Sequence, residues 1–228
     1  IRLVSTEPGK GVNLTNLTAT QGNISLTADG KVILGDVQAK TDINMRGKSI
    51  DIGTRRHVQA GQHLILTTDT LQHWGRIGAD GDVTMKAKTL SLEGGNVTAG
   101  NQVLLQAEKS LTVRGANISG HDITLISSGG DIYVSSGGDN PTAAGTQALS
   151  TIISAINTLH ILSEQGISLS NTLINRAKNI FLAGNGWVNT NQPLVADENI
   201  DLHAGGGINL DGISLTAGKD ITLTSGGS

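Results

Sequence analysis

Cysteine is absent from the 228-residue chain, which excludes disulfides and thiolate metal sites. That absence suits a reducing compartment, and equally a chain that crosses an oxidising one unfolded. Aromatic residues make up 2% of the chain and there are only 3 prolines. The interior must therefore be built from Val, Ile, Leu and Ala rather than from large rings. No apolar run approaches the roughly 20 residues of a membrane-spanning helix. The formal charge of -3 gives no basis for a nucleic-acid surface or a polybasic membrane patch. A signal peptide is missing too, since Ile1 already stands inside the pattern described next, with no basic start or cleavage site. The chain reads as a segment of something longer, with any targeting signal outside it.

What is present is a beat. An apolar pair two residues apart follows a small polar residue at Ile24/Leu26, Ile43/Met45, Leu64/Leu66, Val83/Met85, Val103/Leu105 and Ile123/Leu125. It resumes at Leu159/Ile161, Ile180/Leu182, Ile200/Leu202 and Ile221/Leu223. Successive steps are 19, 21, 19, 20 and 20 residues, then 36, then 21, 20 and 21. A second beat follows each first pair, at Val32, Ile50, Leu71, Leu90, Leu111, Ile132, Ile167, Val188 and Ile208. A third follows that, at Val37, Val58, Ile77, Val97, Ile118, Leu173, Leu194 and Ile213.

Three short alternating segments per period have a direct physical reading. Alternation puts one side of each strand inward and the other outward. Strands this short are unstable as isolated hairpins. If the chain turns after each one and closes a triangle, every strand pairs in parallel with its equivalent one coil later, about 4.8 Å away. The pattern predicts an all-β parallel β-helix of about eleven coils of about 20 residues, three strands per coil, running as a single unit over residues 1–228. A lone coil cannot bury its apolar face, so stability must come from stacking. The corners agree: Gly22-Asn23, Gly81-Asp82, Ala99-Gly100, Ser119-Gly120 and Ala217-Gly218 lie between beats, where a left-handed backbone is needed. Pro8, Pro141 and Pro193 all avoid the strand beats.

The 36-residue step marks an insertion at 135–158, in place of one third beat. Leu149, Ile152, Ile153 and Ile156 show the i, i+3, i+4, i+7 spacing of a helix. Asn140 before Pro141 suits an N-cap and first helical residue. The spacing predicts a helix over 142–157, lying against outward Leu104 and Phe181. An insertion in a regular repeat is a natural contact surface. Asn140, Thr142 and Gln147 are therefore candidate partner-contact positions, with Trp74, Trp187 and Tyr133 as candidate aromatic anchors.

Other chemistry finds little support. Asp51, Asp69, Asp80, Asp82, Glu93, Asp122 and Asp131 fall at different beats and form no repeated acid column. The six histidines are scattered without metal-ligand spacing. The cluster Arg55-Arg56-His57 reads as a solvated corner. No catalytic residue, cofactor site or metal site is expected.

Segments such as ADGDVTMKAKTLSLEGGNVTAGNQVLLQAEKSLTVRGANISGHDITL and ADENIDLHAGGGINLDGISLTAGKDITLTSGG resemble the repeats of filamentous haemagglutinin-type exoproteins. These two-partner-secretion proteins of Gram-negative bacteria include adhesins and the stick proteins of contact-dependent growth inhibition. The resemblance spans roughly 20–134 and 159–228 and leaves the insertion uncovered. It implies a right-handed β-helical rod, exported through an outer-membrane secretion barrel, displayed at the bacterial cell surface and without catalysis of its own. The expected role is structural: a rod used for adhesion or for presenting a distal toxin. The alternatives are a receptor-binding segment of a growth-inhibition toxin, contacting a cell-surface protein or glycan, and a polysaccharide-active β-helix enzyme.

Overall fold

A computed structural model describes residues 1–137, 150–175 and 177–227. It contains 22 strands joined in one continuous sheet and, among the described residues, no helix. Every strand pairing is parallel, as the fixed period requires. The chain winds as a solenoid with three faces, and residues about one period apart stack.

On the first face Ile43, Leu64, Val83, Val103, Ile123, Leu159, Ile180 and Ile200 form one register column. All of them are buried. The column extends to Ile24 at one end and Ile221 at the other. On the second face Val32, Ile50, Leu71, Leu90, Leu111, Ile132, Ile167, Val188 and Ile208 stack in the same way. The third face carries Leu17, Val37, Val58, Ile77, Val97, Ile118, Ile153 and Ile174. The three columns meet in one aliphatic core. Parallel stacking satisfies the strand backbones between coils. Side-chain alternation keeps each coil in register, because a slip of one residue would turn its apolar set outward.

Coil length varies without loss of register because the extra residues collect at corners. The ladder shifts between Ala107 and Ser110, between Gly120 and Asp122, and between Ala177 and Asn179. At tight corners neighbouring backbones come close. Gly95 has φ +76°, and a Cβ there would sit 2.3 Å from the Gly75 carbonyl oxygen, which only glycine tolerates.

Three expectations need correction. The predicted helix does not form over its second half: Thr151–Ser163 is a strand. Ile153 is buried in the third column between Ile118 and Ile174, while Ile156 is 61% exposed. The β-branched run Thr151-Ile152-Ile153 suits a pleated strand better than a helix, and stacking decides the matter. The first half, with Leu149, lies outside the described residues. Second, the third beat is not replaced but displaced, so the repeat resumes at Thr151 rather than Leu159. Third, Leu173 and Ile213 are off the inner column. Leu173 is 52% exposed, and the inward residues are Ile174 and Leu215. At Leu173 the next residue, Ile174, takes the core position; at Ile213 it is Leu215, two residues further on, that stacks on Leu194.

Along the inner first-face columns, Ile221 and Leu223 in the last strand and Ile1 before the first are half exposed, and Leu3 is partly buried.

Candidate functional site

Aspartates at corners have a definite job. Asp42 Oδ1 accepts a hydrogen bond from the His63 backbone N–H at 3.1 Å. Asp82 Oδ1 accepts one from the Gln102 N–H at 3.1 Å and another from the Asn101 amide at 2.8 Å. Asp122 Oδ1 accepts from the Thr158 N–H and the Asn157 amide. Asp36 caps the N–H of His57 at 2.9 Å, and Asp131 that of Gly166 at 2.8 Å. Each donor belongs to the following coil, so these carboxylates tie successive turns where the strand ladder breaks. Burial opposes ionisation of Asp122, but hydrogen bonds from His121, Asn157 and Thr158 outweigh it and hold the carboxyl below the usual range. Of the acids weighed above for polysaccharide chemistry, Asp82, Asp122 and Asp131 thus serve the scaffold. Among the described residues no three His, Asp or Glu side chains come together as a metal site.

Arg55-Arg56-His57 is an exposed corner. Arg55 adopts φ 62°, and Arg56 reaches Asp36 of the preceding coil at 3.9 Å.

The candidate anchors separate into two groups. Trp74 is a half-buried corner residue whose backbone N–H donates to the Ile52 carbonyl. Tyr133 and Trp187 come together, with ring centroids 6.4 Å apart and planes tilted by 51°. They are 43% and 36% exposed. On the second face Trp74 lies near the rung of Leu71, five rungs from that of Val188, which is about 24 Å along the axis. Trp74 therefore belongs to no common site with the other two. Asn140, Thr142 and Gln147 lie outside the described residues.

The Tyr133–Trp187 pair is held by its scaffold. Trp187 is the residue before its strand, in register with Gly166 below and Gly207 above. A Cβ on Gly166 would meet the indole at 2.2 Å, so the ring lies flat against a coil that has no side chain there. Nothing would meet a Cβ on Gly207, which leaves the other edge of the indole open. Tyr133 Oη donates to Asp131 Oδ2 at 3.0 Å. That bond to a carboxylate holds the phenol's pKa above its ordinary value. Asp131 therefore ties the coil above through one oxygen and orients the tyrosine through the other.

Beside the rings runs a column that sequence reading passed over. Tyr133, Ser168, Asn189 and Asn209 are consecutive outward positions of the second face. Ser168, Asn189 and Asn209 line a shallow groove with Ser170, Asn191 and Asp211. The signal was available, since each of the first three follows a second-beat residue. Single polar residues in a polar-rich repeat carry no mark until register aligns them. Elsewhere Phe181 sits between His160 and His203 on the first face, with centroids 5.5 Å away on each side.

A long parallel solenoid whose carboxylates serve as inter-coil ties defines a rod protein, with its variable chemistry on the outside. Residues 84–228, well over half of the chain, match the hemagglutinin repeat family, and the chain belongs to that family. It is a structural rod segment of a secreted cell-surface exoprotein. It is 34% identical over 148 residues to the 16S rRNA endonuclease CdiA of Enterobacter cloacae subsp. cloacae, covering 55% of this chain and 4% of that protein. It is 29% identical over 131 residues to the tRNA nuclease CdiA of an Escherichia coli strain, covering 57% and 4%. A tRNA nuclease CdiA of Yersinia mollaretii is 29% identical over 163 residues, covering 55% and 6%. The chain thus spans only a small fraction of the length of these relatives. No solved structure matches it.

Proposed function

We propose that this rod presents a distal toxin on the outside of the producing cell and has no catalytic activity of its own. One observation carries the reading: the relatives named as nucleases match this chain along a few per cent of their length, within the stretch that builds the solenoid. The geometry fits that work. A rod made of nearest-neighbour contacts can fold coil by coil as it emerges from an outer-membrane secretion barrel, the partner proposed for export. The absence of cysteine keeps the exported chain free of cross-links. Corner aspartates and a continuous aliphatic core give a spacer that transmits position, and no catalytic constellation is needed within it.

The test uses the intact exoprotein on producer cells, mixed with susceptible neighbours. Deleting the region distal to the rod should abolish growth inhibition while leaving surface display and attachment intact. Undiminished attachment by a full-length protein that never inhibits any neighbour would overturn toxin presentation in favour of adhesion.

A further inference from the structure

Two of the chain's four aromatic residues are half exposed beside each other on one face, bordered by a groove of amides and hydroxyls. We propose that Tyr133 and Trp187, with Ser168, Asn189 and Asn209, form a binding site for a neutral oligosaccharide. The site does not depend on what the rod carries.

The ligand class follows from the chemistry of the lining. Exposed rings cost free energy unless something covers them, and these two are held in fixed orientations, Trp187 by Gly166 and Tyr133 by Asp131. Each offers an apolar face with a polar rim. Next to them, Ser168, Asn189 and Asn209 present side-chain donors and acceptors in adjacent rungs, about 4.8 Å apart. None of the three side chains has a hydrogen-bond partner among the described residues. A pyranose matches both features, with a C–H face for the rings and a rim of hydroxyls that donate and accept. No lysine or arginine lines the groove, so an anionic glycan or a phosphate has nothing to pair with. A peptide strand would add at an unpaired sheet edge, whereas Ser168 and Asn189, next to the rings, lie on rungs paired on both sides. A protein partner would need a broader apolar centre than two rings supply.

The experiment uses the 228-residue chain on an array of neutral oligosaccharides of α- and β-linked hexoses. The strongest hit is then titrated against Trp187 fluorescence in a Trp74→Phe background, which leaves one tryptophan. Saturable binding is expected. Trp187→Ala and Tyr133→Ala should each weaken it by about tenfold or more, and Asn189→Ala should weaken it less. Ile33→Ala, five rungs away on the same face, should not change it. Thermal unfolding of each variant shows that the rod is intact, and Asn209→Ala serves if an aromatic variant does not fold. Failure to retain any neutral glycan overturns the proposal. So does equal binding by the aromatic variants, or binding confined to sulfated or sialylated probes.

Discussion

His73 should make the rod acid-sensitive at one coil, and replacing it should remove that sensitivity. The residue occupies an inner column of the second face, with Ile52 on one side and Leu92 on the other. It is fully buried. Nε2 lies 3.3 Å from the Asn96 carbonyl oxygen and fits a donated hydrogen bond, while Nδ1 has no partner. Burial lowers its pKa from 6.5 to about 4, against a smaller opposing effect of the Asn96 carbonyl. Between these values the unfolded chain binds a proton that the folded chain refuses. Stability therefore falls as pH drops from 6.5 towards 4, and the loss is complete below about 4. Lowering from 6.5 to about 4 corresponds to about 3 kcal/mol. His73→Leu keeps the column aliphatic. At pH 7 it should change stability by only about 1 kcal/mol, since the lost hydrogen bond offsets the removal of an unpaired nitrogen. The assay is denaturant unfolding of both proteins at pH 7, 5.5 and 4. The variant's advantage should grow by about 3 kcal/mol towards pH 4. The difference cancels the exposed histidines common to both proteins. An advantage that stays constant with pH would refute the reasoning.

The other predictions concern stacking. Ile153→Asp should unfold the rod near its insertion, whereas Ile156→Asp should leave thermal stability within about 0.5 kcal/mol; equal effects would restore the helix reading. Leu66→Ala should cost about 2–5 kcal/mol and its outward neighbour Ile65→Ala much less, measured by the same unfolding assay. Removing residues 83–102, one whole coil, should leave a folded rod because Val103 takes the place of Val83. Removing 83–92 should not, and circular dichroism with proteolysis distinguishes the two. Gly166→Ala should lift the Trp187 indole off its coil and shift its fluorescence without loss of strand content.

The repeat was readable because its physics is local. Alternation and a period near 20 name the inward residues, and stacking then fixes the architecture. The failures at Leu173 and in the insertion have one cause. Where two apolar residues are adjacent, as at Leu173-Ile174, alternation does not say which one points inward; the neighbouring coils do. The run Leu149 to Ile156 fits a helical face as well as a strand, and only Ile118 below and Ile174 above resolve Ile153. The site followed the same rule. Tyr133 and Trp187 were visible as rare aromatics, but their adjacency depends on a 35-residue coil step from Ile132 to Ile167 closing to one rung. Gly166 looked like one more corner glycine until the indole was found against it.

Distances along the axis test the stack most directly. The chain has no cysteine, so paired spin labels can be placed at chosen outward first-face positions. Thr84 and Thr222 are six rungs apart through Leu104, Thr124, His160, Phe181 and Asp201, and Ser25 lies three rungs beyond Thr84 through Asn44 and Ile65. Labels at Thr84 and Thr222 should be separated by about 29 Å, and labels at Ser25 and Thr222 by about 43 Å, at roughly 4.8 Å per rung. Distances that do not rise with rung number, or an extra step between Thr124 and His160 that reflects their separation in sequence, would contradict the parallel solenoid.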